Sequence, residues 1–207
     1  MSLLQIVLRS LRQHMLSTVI TAFSIALASG LLMSVWVVKD QARASFTGVD
    51  SGFDGVFGAR GSKLQLVLNS IFHLEASPGN LSWVQYERIA ADRRVATAVP
   101  IAVGDNYHGY RLVGVTTNLF DVEYREGKKY AVRAGYLFNP KKKQAVVGNF
   151  AAERLKWKVG DTFRPYHGLI FDENSDRHDE YVVSGIMESS NTPADRVIWI
   201  PIAGLQN

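Results

Sequence analysis

The chain contains no cysteine, which removes disulfide staples, thiolate metal sites and thiol nucleophiles together. It also lacks H-E-x-x-H and G-x-S-x-G, and its Ser, His and Asp residues are too scattered along the sequence to be assembled into a triad. Gly58-Ala59-Arg60-Gly61-Ser62-Lys63 has the composition of a phosphate loop. It lacks the G-x-x-x-x-G-K-[ST] spacing, however, and puts Ser before Lys, so no ATPase is read here. The formal net charge of +4 is spread out. The basic run Lys141-Lys142-Lys143 follows Pro140 and reads as a solvated turn. With no basic stripe carrying interleaved aromatics, nucleic acid is not an expected partner. The composition therefore points to no catalytic residue and no cofactor in this chain.

One absence is confined to a stretch. Met15 through Val38 carries no charged residue, whereas the remainder has the composition of ordinary water-soluble protein. At ~1.5 Å per residue this stretch of roughly 24 residues makes about 36 Å of helix, enough to cross a hydrocarbon core of about 30 Å with some tilt. A single span must be helical, because lipid offers no partners for backbone N–H and C=O groups. The competing reading is a cleaved secretory signal. Arg9 and Arg12 form a basic n-region, and Ala26-Leu27-Ala28 and Ala42-Arg43-Ala44 have the form of cleavage sites. The stretch exceeds the about 7–15 residues of a signal core, and it ends in Trp36 and Lys39, which suit a water–lipid boundary. Arg9 and Arg12 on one side balance Lys39 and Arg43 on the other, so charge leaves orientation open.

Residues 1–14 place Leu4, Leu8, Leu11 and Met15 at helical spacing with Arg9, Arg12 and Gln13 elsewhere. That pattern fits an amphipathic helix on the cytoplasmic membrane surface or a simple extension of the span. Within the span, Thr18, Ala22, Ala26, Gly30 and Ser34 put a small residue at every fourth position. Such a series draws a groove in which another helix packs, although small residues are common in membrane helices anyway.

A stalk over 39–52 then leads to a domain over 53–207, about 150 residues and enough for a core of its own. Alternating or β-branched patterns predict strands at 55–59, 96–103, 110–115, 145–147, 162–165, 181–187 and 197–201. Ser82-Trp83-Val84-Gln85 is a capping box opening a helix to about Asp92. Further helices are predicted over 149–155 and over 63–74. Gly104-Asp105-Asn106, Gly127 and Gly160-Asp161 are turn signals. Strands and helices mixed without regular βαβ alternation indicate an α+β fold.

The one cluster of potential metal donors is His167, Asp172, Glu173, Asp176, His178, Asp179 and Glu180. His167, Asp172, Asp176 and His178 lead as donors for Zn²⁺ or another divalent ion. The bland reading is an acidic loop between two strands, since nothing imposes tetrahedral spacing. His73, between Phe72 and Leu74, is expected to be packed rather than liganded. Tyr107, His108 and Tyr110 form either a binding patch or strand aromatics with a structural role.

Several segments in order carry a resemblance. They are Phe53-Asp54-Gly55-Val56-Phe57-Gly58-Ala59, Leu112-Val113-Gly114-Val115-Thr116 and Ala145-Val146-Val147-Gly148-Asn149, with Leu155 after them. Lys158-Val159-Gly160-Asp161-Thr162-Phe163, Tyr181-Val182-Val183-Ser184-Gly185-Ile186 and Val197-Ile198-Trp199-Ile200-Pro201 follow. Behind a basic amphipathic N-terminus and a first membrane helix, this order resembles the first half of a MacB/FtsX-type ABC transporter permease subunit. The resemblance implies a MacB-like periplasmic core domain at the bacterial inner membrane, with further membrane helices expected beyond Asn207. It also implies a separate ATP-binding subunit, a second permease copy, membrane lipid and a periplasmic accessory protein as partners. The alternative is a single-pass anchored binding or scaffold protein with no ATPase partner.

Overall fold

The structure, a computed structural model, describes residues 3–47, 52–168 and 179–205. The chain divides into two units, Met1–Val49 and Asp50–Asn207. The first consists of α1 (Leu3–Gln13) and α2 (Met15–Thr47). His14 separates them, yet the bonds His14 N–H to Ser10 O and Thr18 N–H to His14 O run the helical ladder across the break. Beyond Val38, α2 continues as helix to Thr47, so the segment expected as a stalk begins helically.

The second unit holds α3 (Lys63–Ser70), α4 (Trp83–Ala90) and α5 (Asn149–Leu155). Its strands are β1 (Ile101–Tyr107), β2 (Tyr110–Val115), β3 (Glu123–Arg125), β4 (Lys128–Lys129) and β5 (Val132–Gly135). They continue with β6 (Gln144–Val147), β7 (Thr162–Phe163), β8 (Tyr166–His167), β9 (Tyr181–Met187) and β10 (Val197–Pro201). Eight strands form one sheet in the order β5-β9-β6-β10-β2-β1-β8, with β7 also on β9, and β3-β4 is a separate hairpin. β10 runs parallel to β2 and antiparallel to β6, and β6 runs parallel to β9. The fold is α+β, as the mixed pattern of elements predicts.

The central strands bury both faces. Leu112 and Val113 lie in different apolar clusters, as do Val147 and Val146, and Ile198 and Trp199. Neighbouring residues on a strand point to opposite sides, so the sheet sits between two cores. This explains why β10 reads as an unbroken apolar run, every residue of it buried. Leu112, Ile198 and Ile200 are fully enclosed, each contributing about 1.5–3 kcal/mol. Ala151 and Ala152 of α5 cover one face, and Leu119, Phe120 and Phe138 join the cluster on the other.

Local chemistry sets several boundaries. Ser82 caps α4 as expected, accepting from Gln85 N–H while the Gln85 side chain accepts from Ser82 N–H at 2.9 Å. The predicted strands over 181–187 and 197–201 and the helix over 149–155 form as read. Residues 55–59, by contrast, form no strand. A Cβ on Gly58 would strike the Leu66 side chain, so this stretch lies against α3 with no strand beside it. The strand expected from residue 96 starts only at Ile101, after Pro100. Ala98 O instead accepts from the Asn118 side chain at 2.9 Å.

Gly104-Asp105-Asn106 is not a turn. β1 passes straight through it with a register shift between Val103 and Asp105. The hairpin turn is His108-Gly109, with φ of 47° and 86°, the two positive values a type I′ connection requires. The helix expected over 63–74 ends at Ser70, and the strand expected over 162–165 stops at Phe163 before Pro165. The short strands β3, β4, β5 and β8 escape sequence reading, because two to four residues show no period.

Gly185 lies where β9 meets β5, and a Cβ there would come within 2.6 Å of Tyr136 O and 3.0 Å of the Val132 side chain. Gly185→Ala is therefore expected to cost about 2–3 kcal/mol in urea unfolding. Gly55→Ala, with open space around its Cβ, should stay within about 0.5 kcal/mol of the parent.

Candidate functional site

Met15–Gln41 of α2 has a mean hydropathy of 1.9, and none of its most apolar window is buried within the chain. By length and composition it can cross a membrane. Four hydroxyls inside it are satisfied within the helix: Thr18, Thr21, Ser24 and Ser34 each donate to the carbonyl four residues back, at 2.8–3.0 Å. That arrangement removes the cost of carrying a hydroxyl into hydrocarbon. Thr18, Ala22, Ala26, Gly30 and Ser34 follow one another at single-turn intervals along α2. All but the half-buried Thr18 are exposed. A Cβ on Gly30 would meet nothing within 4 Å.

Of the potential metal donors, Asp172, Glu173, Asp176 and His178 lie outside the described residues. His167 is on β8, its Nδ1 3.3 Å from Oδ1 of the buried Asp105. Asp179 is paired with Lys143, and Glu180 lies 3.9 Å from Arg164. Among the described residues no three His, Asp or Glu side chains come together in a way that fits a metal. The Tyr107 ring packs at 5.0 Å from Trp157 and 5.4 Å from Phe163, and the Tyr110 side chain is half-buried against the same core. Tyr107 thus behaves as a structural strand aromatic, and burial raises its phenol pKa.

Two buried polar groups organise the domain. Asp195, in the 3-10 turn Pro193–Arg196, accepts from Ser190 N–H at 2.9 Å, Asn191 N–H at 2.8 Å and Ser190 Oγ at 2.8 Å. These bonds fold the Ser189–Thr192 segment around the carboxylate. Sequence reasoning missed it, although Ser189-Ser190-Asn191-Thr192 just ahead of an Asp is the composition of a side-chain-capped turn. With its oxygens used by the loop, Asp195 acts as a clamp and not as a base.

His73 is the other such group. It is packed, as expected, with its ring edge-on to Trp199 at 5.5 Å. Its Nδ1 lies 3.1 Å from Asn69 O. A carbonyl only accepts, so Nδ1 carries a proton toward it. Burial lowers the pKa from the ordinary 6.5 to about 4, and the bond to Asn69 offsets only part of this. The backbone at His73 is left-handed, with φ of 54°, and Leu74 N–H reaches back to Leu68 O at 3.0 Å. The closure spans seven residues across the end of α3, and the left-handed backbone within it is one that glycine adopts without strain.

The architecture, an apolar helix ahead of a two-faced mixed sheet, coincides with a known pattern. Residues 16–207 match the MacB-like periplasmic core domain. The chain belongs to that family. Among solved structures, the chain is similar to the extracellular domain of the noncanonic ABC-type transporter YknZ from Gram-positive bacteria. It is 17% identical, with 72% of this chain and 73% of that one covered and a TM-score of 0.44. No curated protein matches the chain. Family membership, and not the likeness to YknZ, supports the functional reading. The match begins one residue into α2, so the apolar helix belongs to the MacB-like pattern together with the sheet. The protein is a membrane-associated ABC-transporter component of the permease type, with an extracytoplasmic core domain.

The neutral His73 has a consequence for pH. Its pKa in the folded chain lies below the ordinary value, so on acidification the unfolded chain takes up the proton first. Stability contributed above about pH 6.5 is therefore lost progressively toward about pH 4, by about 3 kcal/mol in all. Urea unfolding of the parent and of His73→Gly at pH 7 and pH 4 should show the parent losing about 3 kcal/mol more than the variant.

Proposed function

We propose that this chain is the N-terminal portion of a permease subunit in an ABC transporter of the MacB, FtsX or lipoprotein-release type. In this reading a separate nucleotide-binding subunit hydrolyses ATP at the cytoplasmic face, and the membrane helices carry the resulting movement to the extracytoplasmic domain. The supporting observation is that one family match takes in both the membrane-length helix and the domain. A sheet enclosed on both faces suits the task, because a close-packed core moves as a body and does not absorb the displacement.

The location proposed is the bacterial inner membrane, with residues 1–14 on the cytoplasmic side. There Arg9 and Arg12 would meet anionic headgroups while the leucines of α1 enter the lipid boundary. The stripe Thr18, Ala22, Ala26, Gly30 and Ser34 is proposed as the face on which a neighbouring membrane helix packs, from a second permease copy or from a later segment of the same subunit. A periplasmic accessory protein would dock on the domain.

Affinity purification of the full-length gene product from detergent-solubilised membranes tests the reading. The expected result is co-purification of a nucleotide-binding subunit with ATPase activity. Recovery of the protein alone, without ATPase, would sink the proposal in favour of an anchored binding or scaffold protein.

The stripe has its own test. A Cβ at Gly30 meets nothing within 4 Å, so the effect of Gly30→Leu is expected to read on helix partners. Self-association in detergent, followed by energy transfer between labelled copies, should weaken about tenfold, which corresponds to ~1.4 kcal/mol. The off-stripe Val35→Leu should leave it unchanged.

A further inference from the structure

Across residues 52–100 the only buried side chains among the described residues are Asn69 and His73, both polar. α4 buries nothing, and α3 buries only Asn69. Leu64, Leu74 and Val84 are each more than 60% exposed, and no residue of α3 or α4 enters either apolar cluster. Elements held in a fold normally surrender an apolar face to it. These two do not.

Phe53 and Val99 pack on the core from either end of this stretch, but what reaches the sheet from residues 63–76 is of a different kind. The His73 ring stands edge-on to Trp199 of β10, and Arg111 of β2 donates to Leu74 O at a long 3.4 Å. Asn69 turns its amide back on its own segment, donating to Glu75 O at 2.7 Å. The seated arrangement also carries local costs. His73 adopts a left-handed backbone that a side chain disfavours, and the Trp199 indole N–H beneath it is buried without a hydrogen-bond partner. A segment with little apolar burial and a strained contact sits at the low-stability end of a fold.

We infer that residues 63–76 form a latch that opens from the sheet as a unit while the sheet stays folded, with His73 on Trp199 as its catch. Opening lets the imidazole return to water, relaxes the backbone at residue 73 and uncovers the Trp199 side of the sheet. The device follows from packing alone, so it stands whether or not the chain works with an ATPase.

Hydrogen exchange of the full chain in detergent, followed by mass spectrometry at pH 7, tests it. Within the latch, the amides of Leu66, Ile71 and Leu74 are bonded to Ser62 O, Val67 O and Leu68 O at 3.0 Å. They would be as slow as sheet amides if the segment opened only with the whole domain. The expected result is exchange about 100-fold faster over 63–76 than over 181–187 and 197–201. In His73→Gly, which keeps the left-handed backbone without strain, the 63–76 peptides should speed up about tenfold more with both strand peptides unchanged. Equal protection of the latch and the strands in the parent would overturn the inference. So would a His73→Gly variant in which latch and strands accelerate together, since His73 would then belong to the global core.

Discussion

Everything in the extracytoplasmic domain depends on enclosing β10. It lies parallel to β2 on one side and antiparallel to β6 on the other, and both of its faces are apolar. A strand so placed has no solvent side, so each neighbour must bring a face of its own. α5 supplies one through Ala151 and Ala152, whose small side chains let the helix approach the sheet closely. The other is filled by aromatics, among them Phe120, Tyr124, Tyr130 and Phe138. Gly148, between β6 and α5, has room for no side chain, because the backbone oxygens of Ala194 and Asp195 stand where a Cβ would go.

The same rule for polar groups operates in both units, though the surroundings differ. In α2 the hydroxyls of Thr18, Thr21, Ser24 and Ser34 turn back on carbonyls of the preceding turn, so these donors do not face lipid unpaired. In the domain, Asp195 gathers backbone and hydroxyl donors from Ser190 and Asn191, which lets a carboxylate lie buried without a cation. His73 meets the requirement differently. It gives one proton to Asn69 O and stays neutral, because charging it so deep would cost more than the bond returns. Beneath it the Trp199 indole N–H is buried without a hydrogen-bond partner.

As a family member the protein joins a membrane-length helix to a MacB-like core domain. Rigidity and looseness are segregated. The central strands are close-packed, whereas α3 and α4 add no residue to either apolar cluster.

Much of this was legible in the order of residues, and the reason is range. A charge-free run of membrane length, the capping box at Ser82 and Gln85, and the apolar runs of β9 and β10 depend on chemistry within a few positions of each residue. A sequence displays such chemistry directly. The strand expected over 55–59 and the turn expected at Gly104-Asp105-Asn106 failed because strand and turn there depend on which segment lies alongside. Gly58 packs on α3, whereas Gly104 is carried through β1 by its pairing with β2. The acidic loop illustrates the same limit, since His167 proves to face Asp105, a residue far away along the chain. By itself, then, the sequence determined the membrane span, the α+β class and the family resemblance, because all three rest on local periodicity and on the order of segments. Only the tertiary structure decided that His73 is buried and neutral, that Asp195 is a clamp and that α3 covers the sheet loosely. Burial and electrostatics are set by neighbours in space, and no local pattern encodes which neighbours those will be.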